Sequence, residues 1–219
     1  MIYKIIDINS LDEQMTAKYF PMLTPLRQKK IVSMKTSEER SLAFCSEILA
    51  RQCLSELCDA PEFSFTLLLN PNAKSVVGNF DAEISIASEG DIVACAVSEN
   101  FVGICVHPLK PFTFKDAQNK FSDVEIRAVF AESSYSFGEL INLTECNEKS
   151  VIRAYALMST LKEAYFFASG RGIRNDRKIT LFEFDGNTVR CTDDDYIISE
   201  SFIDDVTGYA ISVVERYKK

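Results

Sequence analysis

Tryptophan is absent from this chain, histidine occurs once (His107), and glycine is sparse at 8 of 219 residues. Neither the glycine fingerprint of a dinucleotide-binding βαβ unit nor a phosphate-binding P-loop is present, which excludes those two architectures. The seven cysteines (45, 53, 58, 95, 105, 146 and 191) are odd in number and scattered, without a CxxC pair. They read as reduced, mostly buried thiols of a cytoplasmic protein rather than a disulfide frame. No transmembrane run is present, and the N-terminus MIYKIIDINS offers a short strand-like stretch instead of a signal peptide. Positive charge is also in deficit: 24 Lys and Arg against 32 Asp and Glu give a net −8. That balance argues against broad nucleic-acid binding, so any anionic ligand needs a local basic patch.

The remaining composition, 47% apolar and 26% charged, is that of a soluble globular protein long enough for one core or two small lobes. Its most informative stretch is VIRAYALMSTLKEAYFFASGRG, residues 151–172. Between Arg153 and Arg171 only Lys162 and Glu163 are charged, and no glycine or proline precedes Gly170. A helix apolar nearly all round must be buried, and Gly170 suits its C-terminus. The plain expectation is that Lys162 and Glu163 form a narrow solvent-facing stripe.

In chain order, IYKIIDI (2–8) reads as a strand, and Asn9-Ser10 as the cap of a short helix in LDEQMTAKYF. A long helical tract follows Pro25; Thr36 or Ser37 caps its second part, with Glu39 at the reciprocal position. Ahead of it lies a basic cluster of Arg27, Lys29, Lys30 and Lys35, either a solvated face or an anion site. FSFTLLL, AEISIAS, DIVACAVS and FVGICVH read as strands, the last three as an antiparallel meander. FKDAQNKF and VEIRAVFAES are helical candidates. After the main helix come KITLFEF, TVRC, YIISESF and GYAISVVE as strands, with a turn at 185–187. The order helices, strands, helix, strands predicts an α+β protein of two comparable lobes.

Five segments together resemble the Sfp-type 4′-phosphopantetheinyl transferases. They are RQKKIVSMKTSEERSLAFCSEILAR, Ala73-Lys74-Ser75, ISIASEG (84–90), GICVH (103–107) and STLKEAYFFASGRG (159–172), and they follow the family's order over most of the chain. That resemblance implies two lobes with pseudo-twofold symmetry, 1–100 and 101–219, with the ligand cleft between them, in a monomer. It implies transfer of the phosphopantetheine arm of coenzyme A to a serine of an apo acyl or peptidyl carrier protein, with Mg2+ as cofactor. It also implies roles: Glu163 as metal ligand or base, Lys162 on the phosphates, and Arg27, Lys30, Arg40, Lys74, Ser88 and Arg171 around the nucleotide.

The departures are as specific. Ser88 stands where the family has a histidine, Ser159 replaces its helix tryptophan, and Phe167 its second lysine. The family's D-x-E strand pair, which sets two hard oxygen ligands for magnesium on one face, is here Cys105 and His107. The altered pair is consistent either with a lost metal site or with a Cys-His-Glu set for a softer ion such as zinc. The alternative to transfer is therefore a catalytically inactive relative that binds coenzyme A or a carrier protein.

Overall fold

Chain reversals and hydrophobic alternation divide the strands between two main antiparallel sheets. The computed structural model describes residues 1–70, 73–142, 144–170, 179–185 and 188–218, with the side chains of 69, 70, 73–76, 137, 184, 185 and 188 outside that description. Among the described residues the order begins with β1 (Ile2–Asp7), α1 (Glu13–Tyr19), α2 (Pro25–Val32) and α3 (Ser37–Cys58). Strands β2 (Leu67–Asn70), β3 (Ala73–Val77), β4 (Glu83–Glu89), β5 (Ile92–Ser98) and β6 (Phe101–Pro108) come next. Helices α4 (Phe114–Lys120), α5 (Asp123–Val129), α6 (Phe137–Leu140) and α7 (Lys149–Ser169) precede β7 (Phe182–Asp185), β8 (Thr188–Cys191), β9 (Tyr196–Asp204) and β10 (Tyr209–Arg216).

Local signals work where the sequence suggested. Thr36 accepts from the Glu39 amide at 3.0 Å, and the Glu39 carboxylate accepts from the Thr36 amide, closing a capping box on α3. Gly170 ends α7 at φ +70°, a conformation that costs glycine nothing. The cap of α1 differs from the expectation. Asn9 lies in a short 3-10 turn capped by Asp7, and Asp12 caps α1 by accepting from Met15 at 2.6 Å.

The expected meander over β4, β5 and β6 is corrected. The first sheet runs β1-β5-β4-β3-β2, and β6 opens a second, β6-β10-β9, with β7-β8 as a separate hairpin. Both edges of β5 are already taken, by β1 (Ile5↔Ala94) and β4 (Ile86↔Cys95), so the chain turns out of the plane after Ser98. Strand β6 then pairs with β10 (Ile104↔Val213).

Alternation on β5 and β6 builds four layers. Cys45, Leu49 and Cys53 of α3 pack on Val93, Cys95 and Val97. The opposite β5 face (Ile92, Ala94, Ala96) meets Val102, Ile104 and Val106 of β6 with Ile211 and Val213 of β10. Across this sheet-on-sheet core the Ile104 amide donates to Ser85 Oγ at 3.1 Å. The outer face of the second sheet is covered by α7.

Candidate functional site

The site grows from the way β6 lies under α7. Positions 103, 105 and 107 share the strand face that looks at the helix. A Cβ on Gly103 would lie 2.0 Å from the Ala164 carbonyl oxygen and 2.6 Å from the Ala168 nitrogen. Two residues on, Cys105 Sγ donates to Glu163 Oε2 at 3.2 Å. At position 107 the imidazole meets the Tyr155 ring edge-on, centroids 5.8 Å apart, and its Nδ1–H donates to the Pro108 carbonyl at 2.9 Å. The strand thus descends past the helix from Ala168 to Tyr155, and glycine is what allows the thiol and the carboxylate to touch.

Lys120, the last residue of α4, completes the group. Its Nζ stands 3.5 Å from Glu163 Oε1 and 5.7 Å from the Tyr155 ring centroid, with both ion-pair side chains about a quarter exposed (26%). Burial, and next the Glu163 carboxylate, push the Cys105 thiol well up, so it stays protonated at neutral pH. Burial and the Lys120 ammonium hold His107 below its ordinary 6.5, leaving the imidazole neutral. Tyr155 is pushed up to about 12 by burial and next by Asp116.

A protonated, buried thiol is a poor nucleophile. We expect Cys105 to resist iodoacetamide at pH 8 in the native protein while reacting fully in urea. Peptide mapping by mass spectrometry checks this, and rapid native labelling would mean the thiol is not enclosed.

The donor set does not fit magnesium. Hard oxygen ligands are required, yet among the described residues Glu163 is the one carboxylate hydrogen-bonded to Cys105. His107 turns its Nδ1 to its own chain. Among the described residues no three His, Cys, Asp or Glu side chains are grouped so as to hold a metal ion.

Other sequence candidates lie elsewhere in the network. Lys162 is 3% exposed and corrects the solvent-stripe expectation: its Nζ donates to Glu125 Oε2 at 2.7 Å and to the Ile179 carbonyl at 3.1 Å. Glu125, fully buried, also accepts from the Ser122 amide at 2.9 Å and the Leu181 amide at 3.0 Å. Arg27 donates to Glu47 Oε2 at 2.9 Å, and Glu47 is shared with Arg51 at 2.8 Å, which ties α2 to α3. Arg40 donates to the Met34 carbonyl at 2.9 Å, while Lys30 and Ser88 are exposed. Lys74 lies in β3 with its side chain outside the described residues, and Arg171 lies outside them altogether.

Glu89, next to Ser88, approaches Lys110 at 4.0 Å, so the end of β4 and the segment after β6 share one end of the molecule. The sequence reading missed Lys120 and Glu125; the available signal was a lysine at a predicted helix C-terminus and an acid after Ser122 in a capping pattern.

No family model matches the sequence. A curated relative, the 4′-phosphopantetheinyl transferase gsp of Aneurinibacillus migulanus, is 24% identical over 192 residues, spanning 88% of this chain and 72% of that protein. This distant similarity points to the phosphopantetheinyl transferase superfamily. Among the described residues no helix is long and apolar enough to cross a membrane.

Proposed function

We propose that this chain is a phosphopantetheinyl transferase-type protein that takes coenzyme A and an apo acyl or peptidyl carrier protein as substrates. The observation that carries the reading is the contact between β6 and α7. Cys105, at the first position of the paired strand motif, lies 3.2 Å from Glu163, the acid of the helix motif. Such a meeting of two segments 58 residues apart is what the resemblance requires of those positions. On this reading residues 1–100 and 101–219 are two related lobes of a cytoplasmic monomer, and the site lies at the end shared by β4 and β6.

The reaction is transfer of 4′-phosphopantetheine to a carrier serine. The serine oxygen forms a bond to the β-phosphorus, the bond from that phosphorus to the bridging oxygen breaks, and 3′,5′-ADP leaves. Glu163, partly exposed, accepts the serine proton. Exposed Lys30 and Ser88 are among the nucleotide-binding positions that the resemblance implies.

A second reading is favoured by one specific feature: a protonated thiol occupies the position of a carboxylate and is hydrogen-bonded to Glu163. The chain is then a non-catalytic relative that binds coenzyme A or a carrier protein. Intact-mass spectrometry of an apo acyl carrier protein, incubated with this protein, coenzyme A and Mg2+, Mn2+ or Zn2+, separates the two. A gain of one phosphopantetheine group supports transfer, and Glu163→Gln should then lower the rate by about 10²–10⁴-fold, the usual contribution of a general base. No gain on several carriers, with coenzyme A binding intact in Glu163→Gln, supports the non-catalytic reading.

A further inference from the structure

We infer that the Lys120 ammonium supplies the positive charge facing the ligand's phosphate groups at the Glu163 site, in place of a metal ion. The inference deepens the reading above and rests on its location of the site. Three observations carry it. The donors around Glu163 are a buried thiol and an imidazole turned to its own backbone, which do not suit a hard dication. Among the described residues the cation at Glu163 is Lys120, 3.5 Å from Oε1 and partly exposed. Lys110 and Lys115 come from the same segment, and the charges of Lys110 and Lys120 both act on His107.

The chemistry follows from the looseness of this pair. A partly exposed ion pair contributes little to stability, so an incoming phosphate dianion displaces the carboxylate at small cost. Lysine binds phosphate as a point charge with several N–H donors. The ligand class is therefore a pyrophosphate-bearing molecule bound without a metal.

Isothermal titration of the full chain with sodium pyrophosphate in EDTA tests this, alongside Mn2+ binding to the ligand-free protein by electron paramagnetic resonance. We expect pyrophosphate to bind in EDTA, Lys120→Met to weaken it roughly 10-fold or more, as loss of a charged hydrogen bond does, and Lys120→Arg to retain most affinity. Circular dichroism confirms that both variants are folded. We expect no Mn2+ site at Glu163.

Binding that needs Mg2+, no binding at all, or an unchanged affinity in Lys120→Met overturns the inference. So does an Mn2+ site lost in Glu163→Gln, although the transfer reading would survive that result. Conversely, metal-free pyrophosphate binding through Lys120, without recognition of coenzyme A or a carrier protein, upholds the inference and removes the transfer reading.

Discussion

Replacing Glu125 with alanine is expected to destabilise the protein by about 3–5 kcal/mol, the range for removing one partner of a buried ion pair. The carboxylate is fully buried and holds Lys162 Nζ at 2.7 Å, with the Ser122 and Leu181 amides on its remaining lone pairs. Without it the buried ammonium keeps the Ile179 carbonyl but loses the carboxylate it meets at 2.7 Å. For a chain of this size each kcal/mol shifts the midpoint by roughly 2–4 °C, so a fall on the order of 10 °C is expected.

The double variant Glu125→Leu with Lys162→Met should recover much of that loss, because a buried pair and a well-filled apolar pair are often close in stability. Urea unfolding followed by circular dichroism measures both. A loss below about 1 kcal/mol in the single variant would show that water reaches the pair. The expected result also bears on the site: Lys162, the lysine singled out by the helix motif, serves to hold the segment at 179–181 against α5 and α7.

Gly103→Ala is expected to be about as damaging, at roughly 3 kcal/mol or more, above the usual cost of overpacking. The added carbon would sit 2.0 Å from the Ala164 carbonyl oxygen and 2.9 Å from its carbon, so no side-chain rotation relieves the clash. Helix α7 must lift from the second sheet, which opens the packing around Met158, Leu161 and Ala164. The same lift separates Cys105 from Glu163. Native labelling of Cys105 by iodoacetamide should therefore rise together with the loss of stability. A variant that melts like the wild type and leaves the thiol protected would contradict the close approach.

The local elements of this protein were legible because their causes are local. The Thr36–Glu39 capping box, the αL glycine after α7 and the period of two at 103, 105 and 107 depend on residues only a few positions apart. The α+β class followed from their order. The resemblance directed attention to Glu163 and Cys105, and those two side chains are in contact.

The adjacent pair Lys162 and Glu163 shows where local reasoning stops. Side by side in an apolar helix they read as one wet stripe, yet they point into different surroundings. Lys162 finds a carboxylate 37 residues away on α5, and Glu163 finds a thiol on β6 and an ammonium on α4. Arg27 similarly reads as part of a basic run until Glu47, itself shared with buried Arg51, accepts from it. From the residue pattern alone came the main elements, the caps of α3 and α7, the face that β6 turns to its helix and the absence of carboxylates at 105 and 107. Long-range packing is what takes β6 out of the first sheet, buries Lys162 in an ion pair and brings Lys120 to Glu163. The reason is physical: the free energy of a buried charge is set by partners brought together from distant segments, which no short stretch of chain encodes.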